Sequence, residues 1–559
     1  MTTATPWASN YLHPSPWNQH FAALSVHDMF FRSAERMGLA PLADFMGRKY
    51  SYSEMADSVR RFAKGLQLRG IGKGDHVGLF LPNVPHYIVA YYGALLAGAT
   101  VVNFSPLYTV DELSAQVVDS GTSILVTVSA AALLPNALKV LEKTQLGQLI
   151  VGSVSEALPT AKSWAYRLFK KADIAAIPDD KRIIRYADFI ANDGASVPVV
   201  CDPETDIAVL QYTGGTTGTP KGAMLSHQNI TANARQINMI DPYSRINRPD
   251  QPAIDRILGV LPFFHVFANA TVLNRTIDNG GEIIMLPRFE ATEALKAANR
   301  THVTAIPGVP TMYQALLDNA QLPKTDFSAL RACISGGAPL PAELKAKFEA
   351  ASKAVLIEGY GLTESSGVIS CNPYEGENRV GSIGQPVPGT TVKLVDKEDP
   401  TKPAPDGEPG ELLCMGPQIM LGYWQRPDAT ADVFVDGFLR TGDVATIDAK
   451  GFIYIVDRLK DMISVGGFKV FPSQIEDILY RHPAVKEALV IGLFDSYLGE
   501  RPAAYVTTTE AISGADLVAW LNPQLGKHER VSDVVVRDAM PKTMIGKLDR
   551  KALRAEVGA

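Results

Sequence analysis

The sequence predicts an α/β protein: a large N-terminal domain of α/β sheets that includes a β-rich subdomain, followed by a small α+β C-terminal domain. Three observations lead there. Strand-like and helical runs alternate from about residue 77 to residue 358. Short segments broken by Gly, Pro and Asp turns take over near residue 380. A charged connector, Asp457-Arg-Leu-Lys-Asp461, then precedes a last unit of roughly a hundred residues, a common size for a small domain. The expected boundaries are 1–456 for the large domain, with the β-rich part at about 380–456, then 457–462 for a hinge and 463–559 for the small domain.

In chain order, Val77–Leu81 is strand-like and stops at Pro82-Asn83, 85–97 is helical, and Val101–Phe104 is strand-like. Asp111–Asp119 is helical and Ile124–Val128 is again a strand. The rhythm returns at Ile283–Leu286, Ala291–Ala298 and Val303–Ile306, and once more at Ala332–Ser335, Pro341–Ala351 and Ala354–Glu358. Continuous apolar strands alternating with helices indicate β-α-β units and a buried, largely parallel sheet. The turns at Pro386–Gly389, 405–410, Asp436-Gly437 and Asp448–Gly451 indicate antiparallel pairing in the subdomain.

Bulk properties bound the function. At 559 residues the chain exceeds one core. Its 46% hydrophobic and 20% charged residues are ordinary globular composition. A net charge of −6 argues against nucleic acid as a partner held by a basic face. The four cysteines, Cys201, Cys333, Cys371 and Cys414, form no Cys-x-x-Cys pair, which weighs against zinc and against a disulfide framework and suits a reducing cytosol. No signal peptide is expected from Met1–Pro16. Nor does any run of about 18 apolar residues predict a spanning helix.

The most informative stretch is 212–227, Tyr-Thr-Gly-Gly-Thr-Thr-Gly-Thr-Pro-Lys-Gly-Ala-Met-Leu-Ser-His. Gly214, Gly215 and Gly218 let backbone N–H groups approach an anion, Thr213, Thr216, Thr217 and Thr219 add hydroxyl donors, and Lys221 adds charge. Lys221 lies between Pro220 and Gly222, whereas a Walker A loop needs Gly before the lysine and Ser or Thr after it. A phosphate loop of another fold is indicated; the alternative is a Gly/Thr-rich surface turn.

Three weaker stretches follow. Glu358-Gly-Tyr-Gly-Leu-Thr-Glu-Ser365 comes directly after a strand, where α/β sheets bind ligands. There Tyr360 could stack on a base, Thr363 could bond a phosphate, and Glu364 could offer a hard oxygen to Mg²⁺; a capped turn is the alternative. Arg440-Thr-Gly-Asp443, behind Tyr423-Trp-Gln-Arg-Pro427, offers a carboxylate suited to ribose hydroxyls or an ordinary hairpin-turn Asp. Pro541-Lys-Thr-Met-Ile-Gly-Lys-Leu-Asp-Arg550 puts Lys547 after a glycine, either to neutralise phosphoryl charge or as a surface lysine. His265, in Leu261-Pro-Phe-Phe-His-Val-Phe267, reads as a packed core histidine or a site wall. Residues 163–176 read as an amphipathic helix with Trp164, Leu168 and Phe169 opposite Arg167, Lys170 and Lys171, for an anionic membrane surface or for packing on the domain.

Taken in order, these stretches resemble the core motifs of the adenylate-forming superfamily of acyl-CoA synthetases, luciferases and adenylation domains, over essentially the whole chain. Asn103-Phe-Ser-Pro-Leu-Tyr-Thr, Leu421-Gly-Tyr-Trp-Gln-Arg-Pro-Asp-Ala-Thr and Ile453-Tyr-Ile-Val-Asp-Arg look like bacterial long-chain fatty acyl-CoA synthetases. The resemblance implies an AMP-forming acid–thiol ligase using ATP, Mg²⁺ and CoA, with a fatty acid as substrate. It implies Thr213–Lys221 on the β- and γ-phosphates, and Gly337, Ala338, Glu358, Gly359 and Tyr360 around adenine. Thr363 and Glu364 would serve the α-phosphate and Mg²⁺, with Thr213 a further metal contact. Asp443 and Arg458 would hold the ribose, and Lys547 would bridge acyl carboxylate and α-phosphate. His265 would wall the acyl site, with Val309–Tyr313 beside an apolar tunnel. Lys460 would be the hinge of a mobile small domain that presents Gly466-Gly467 to CoA. A cytoplasmic protein is expected, with peripheral contact at the inner face of the membrane through 163–176 and a homodimer as further expectations. Ser464 and Lys527-His-Glu-Arg530 depart from the family pattern. An aryl or dicarboxylic acid substrate, a carrier-protein acceptor and a non-catalytic sensor remain as alternatives.

Overall fold

A computed structural model of the protein describes residues 6–213, 220–250, 254–466, 468–543 and 546–559. Two large sheets dominate its first part. Among the described residues one has nine strands, in which Arg256–Gly259, Glu282–Met285, Ala305–Gly308, Ala332–Gly336 and Val355–Tyr360 run parallel to one another. The other has eight, built around parallel Thr100–Asn103, His76–Leu79 and Ile124–Val128, and continues through the antiparallel pair Ile207–Tyr212 and Gly222–Ser226 to the edge strand Gly422–Tyr423. His76–Leu79, Thr100–Asn103 and Ile124–Val128 are buried at every position. That is why they read as unbroken apolar runs and not as alternating ones.

The helix Pro85–Leu96 shows why its segment is apolar all round: all but its last residue are buried. It also carries polar handles. Tyr87 donates to Phe263 O at 2.9 Å and Tyr92 to Asn274 Oδ1 at 2.8 Å, so the buried hydroxyls are satisfied. Gly93 lets the Phe62 ring lie on the helix backbone, for a Cβ there would meet it at 2.8 Å.

A five-stranded antiparallel sheet follows, with Gly410–Met415 and Phe438–Ile447 at its centre and Ile453–Arg458 against Phe438–Ile447. After the short turn Leu459–Asp461, residues 463–534 gather a core of their own around Ile463, Val490, Val506 and Leu517. The charged turn is clamped: Asp461 accepts from Arg550 at 3.1 Å and from Arg554 at 3.2 Å.

The amphipathic segment differs from its sequence expectation. The helix runs Thr160–Phe169, not 163–176. Beyond Lys170 the chain turns back to residues 129–131, with Asp173 O accepting from Ala131 N and Ala175 N donating to Ser129 O. Those backbone bonds stop the helix before Ala172 can join its apolar face. Tyr166 of the helix packs against the core, whereas Trp164, Leu168 and Phe169 stay exposed, so the apolar face read from the sequence does not pack on the domain. Among the described residues, no helix is long and apolar enough to cross a membrane.

Candidate active site

The sheets, the antiparallel subdomain and the small domain meet at a cleft of about 2390 Å³. The carboxyl ends of the parallel strands open into it, as expected of open α/β sheets. Thr213, Lys221 and His265 line it; so do Gly337, Ala338, Glu358, Gly359, Tyr360, Thr363 and Glu364. From the other side come Asp443, Arg458, Lys460 and Lys547. Gly466 does not line it: its N–H is bonded to Leu498 O at 2.8 Å. Gly214, Gly215, Thr216, Thr217, Gly218, Thr219 and Gly467 lie outside the described residues.

The neck of the Gly/Thr stretch is a β-hairpin. Tyr212 pairs with Gly222, and Thr213 N donates to Lys221 O at 2.9 Å. A third strand, Gly422–Tyr423, pairs with Gly222–Ser226 and carries Tyr423 into the cleft. The Tyr423 hydroxyl donates to Glu364 Oε1 at 2.7 Å, and Lys221 Nζ lies 5.0 Å from the centre of its ring. One tyrosine therefore joins the lysine to the carboxylate through a cation–π contact and a hydrogen bond. Sequence reading quoted Tyr423 but gave it no role, because its partners come from distant segments.

Glu358 sits in the strand Val355–Tyr360, with Leu340 N donating to its carboxylate at 3.2 Å. Burial pushes its pKa up to about 8. At neutral pH it is therefore mainly a carboxylic acid, able to donate a hydrogen bond. Two residues on, the Tyr360 hydroxyl donates to Asp443 Oδ2. Asp443 stands opposite Arg458 in the register of Phe438–Ile447 and Ile453–Arg458, with Arg458 Nε 3.2 Å from Oδ1. It is a strand residue, so the hairpin-turn reading of Asp443 fails.

His265 caps the short helix Val266–Ala268, its Nδ1 accepting from Phe267 N at 3.3 Å. Burial, and then Lys547 nearby, push its pKa down to about 3. The ring is thus neutral, and the bond to Nδ1 leaves the proton on Nε2.

Lys547 enters from the small domain. Its loop closes on itself through Thr543 N to Lys547 O at 2.7 Å. It is tied to the large domain by Thr311 Oγ1, which donates to Gly546 O at 3.1 Å. The lysine side chain lies against the α-carbon of Gly337. Burial, and then the Arg458 charge, lower its pKa to about 8. Lys460 is pushed down by the same two causes in the same order. Sequence reading placed Thr311 only within the tunnel stretch Val309–Tyr313; its bond to the Lys547 loop was not visible there, because its partner is more than two hundred residues away.

The departures from the family pattern lie away from the cleft. Ser464 N donates to Glu500 Oε2 at 2.7 Å, and His528 stacks on Phe468 with ring centres 5.0 Å apart.

The chain was compared with known proteins. The AMP-binding enzyme family matches residues 30–424, and the AMP-binding enzyme C-terminal domain matches residues 474–547. A Long-chain-fatty-acid–CoA ligase of Bacillus subtilis (strain 168) is 37% identical over 564 residues, covering 100% of this chain and 99% of the relative. One of Escherichia coli O6:H1 is 39% identical, covering 95% of this chain and 94% of the relative. Among solved structures, ATP-bound MatB from Rhodopseudomonas palustris superposes with a TM-score of 0.82 at 28% identity, over 95% of this chain and 99% of that one. Both family domains are matched in their order along the chain, and the relatives align from end to end; this chain belongs to the AMP-binding enzyme family.

Proposed function

We propose that the protein is an ATP-dependent fatty acid–CoA ligase acting on medium- and long-chain acids through an acyl-adenylate. The observation that carries this reading is the entry of Lys547 into a cleft that is lined by Lys221 and Glu364 and also by His265 with the apolar Val266, Val309 and Val368. The names of the two full-length relatives support the fatty acid.

In the first half-reaction a carboxylate oxygen attacks the α-phosphorus of ATP, and the bond to the bridging oxygen breaks to release pyrophosphate. Lys547 bridges the carboxylate and the α-phosphate, a task for a point charge on a long stem. Lys221 and the 213–219 loop hold the departing phosphates. Glu358, Gly359, Tyr360, Gly337 and Ala338 border the adenine, Thr363 contacts the α-phosphate, and Asp443 with Arg458 holds the ribose. Neutral His265 walls the carboxylate without adding charge.

The donor set suits Mg²⁺. Among the described residues no group of three or more His, Cys, Asp or Glu could hold a metal, but Glu364 offers a hard oxygen at the cleft wall. Mg²⁺ characteristically takes one or two carboxylates and completes its shell with substrate phosphates and water. Glu364 and Thr213 would hold it, and it would neutralise polyphosphate charge.

In the second half-reaction the CoA sulfur attacks the acyl carbonyl carbon, and the carbon–oxygen bond to AMP breaks. Rotation about Lys460 withdraws Lys547 and brings Gly466-Gly467 to the thiol arm. The test is pyrophosphate release across straight-chain, aryl and dicarboxylic acids, with and without CoA. Release should be greatest with medium to long straight chains, with thioester formed when CoA is present. No release with any acid overturns the ligase reading. Preference for aryl acids changes the substrate class, and release without a CoA thioester points to a carrier-protein acceptor.

We also infer that the helix Thr160–Phe169 is the contact with an anionic membrane surface. Trp164, Leu168 and Phe169 are 75%, 65% and 79% exposed, beside Arg167, Lys170 and Lys171. Exposed aromatic and aliphatic groups flanked by cations match a lipid interface. Co-sedimentation with phosphatidylglycerol vesicles should be salt-sensitive and lost in the Trp164→Ala/Leu168→Ala/Phe169→Ala variant. Equal binding by that variant would refute it.

A further inference from the structure

Beside His265 the cleft is lined by the apolar Val266, Val309 and Val368, and by Ile237, Thr271 and Ile334. Those last three side chains also line a second, separate cavity of about 20 Å³. That is room for about one water-sized group.

The chamber's wall is mixed: Ile257, Ala305, Pro307 and Ala332 are apolar, and the rest carries paired charges. Arg275, buried, pairs with Asp241 and, at 3.0 Å, with Asp255; Arg331 pairs with Asp255 as well. Two carboxylates and two guanidiniums cancel in net charge. Tyr374 lines the same space and is only 8% exposed, and its hydroxyl forms no hydrogen bond among the described residues. Thr271 lies in the π-helical turn Asn269–Asn274, directly before Arg275, and its hydroxyl already donates to Phe267 O at 2.7 Å. Such wide turns recur at functional sites.

The two sides of this wall differ in the polar groups they offer a chain end. A methyl end resting on Ile237 and Ile334 keeps apolar contact. Further on, beside Ile257 and Ala332, it would meet the Asp–Arg network and the Tyr374 phenol, to which a hydroxyl can hydrogen-bond and a methyl group cannot. We propose that Ile237, Thr271 and Ile334 form the floor of the acyl arm, fixing acyl-chain length and rejecting chains with a polar end, and that the chamber behind them accepts a terminal hydroxyl once that floor is thinned. This rests on the fatty acid–CoA ligase reading.

The test measures kcat/KM of pyrophosphate release for straight-chain acids of increasing length and their ω-hydroxy counterparts. The enzymes are the wild type, Ile237→Ala and the milder Ile334→Val, each checked for folding by circular dichroism. For the wild type, kcat/KM should rise roughly threefold to fourfold per methylene up to a limiting length and then fall. At that limit the ω-hydroxy acid should be roughly tenfold poorer. In Ile237→Ala the limit should move to longer chains and the hydroxyl penalty at the new limit should vanish. Ile334→Val should move the same way by less, and it carries the test alone if the alanine variant does not fold. An unchanged limit in a folded variant overturns the inference, as does a longer limit with the full hydroxyl penalty. Silence of the wild type on every acid instead overturns the ligase reading beneath it.

Discussion

Lys547 reaches the cleft by lying across the bare α-carbon of Gly337. A Cβ added to Gly337 would stand 2.6 Å from Lys547 Nζ and would also collide with Cε. The glycine has φ +82°, a conformation that L side chains rarely adopt. One position thus admits a lysine delivered from more than two hundred residues away and turns the chain after the strand Ala332–Gly336. The Thr311–Gly546 bond holds the same loop to the large domain.

Gly337→Ala should therefore damage adenylation first. The lysine must retreat from the position its ammonium occupies, and losing one aligned charge of this kind costs on the order of 10²–10³ in rate. Thioester formation from supplied acyl-adenylate should fall by less. The left-handed backbone adds a fold penalty of about 1–2 kcal/mol. Single-turnover assays of each half-reaction and denaturant unfolding measure both; equal losses in the two half-reactions would refute the contact's role.

The lysine should also titrate early. Its pKa is lowered to about 8, chiefly by burial. Below that pH it is the ammonium that the proposed adenylation role requires, and above it the free amine. Acylation of Lys547 by acetic anhydride in nucleotide-free enzyme, read by mass spectrometry, should rise with pH about a midpoint near 8. Bound ATP should shift the midpoint upward, because phosphate favours the cation. The linkage has a definite sign. Between about 8 and the ordinary 10.5 the unfolded chain retains a proton that the folded chain has lost, so this group makes stability rise with pH in that window. A midpoint near 10.5 would show that the lysine is not buried as described.

Much of this site is legible in the sequence, because its groups announce their chemistry by type and spacing. Lys221, Asp443 and Lys547 each stand beside a glycine, Glu364 lies three residues after Gly361, and all four line the cleft. The parallel strands are legible because burial on both faces writes them as apolar runs. What stays hidden depends on partners distant in sequence. Tyr423 matters because pairing with Gly222–Ser226 sets it between Lys221 and Glu364. Arg275 is a helix residue until Asp241 and Asp255 close on it. The helix wheel ran past Phe169 because periodicity cannot register the backbone bonds to residues 129–131 that end the helix.

Thr311 should act on the balance between conformations and not on chemistry. Its hydroxyl is a tie between the Lys547 loop and the large domain. Thr311→Val keeps the shape and removes the donor, at a cost of about 1 kcal/mol to the state with Lys547 inserted. That corresponds to roughly a fivefold loss in adenylation if insertion is only partly populated. Thioester formation, for which the proposed rotation withdraws the loop, should be unchanged or faster. Stopped-flow measurement of the two half-reactions decides the point, and a fall in both would assign Thr311 to general stability.

His265 should contribute no titration to the rate. Burial, with Lys547 beside it, holds the ring neutral down to about pH 3. Its Nδ1 is occupied by the Phe267 N–H, so only Nε2–H faces onward as a donor. A charged histidine would help to bind the acyl carboxylate and would lose that help as pH rose through its pKa; a neutral one gives no such limb. Pyrophosphate release by the wild type should therefore show no inflection between pH 5 and 7 attributable to this ring, and His265→Ala should lower the rate by a pH-independent factor across that range. His265→Gln, which can keep a side-chain N–H donor, should recover part of the loss, whereas a cationic role would leave it as impaired as alanine. An acidic limb that disappears in His265→Ala would overturn the neutral assignment.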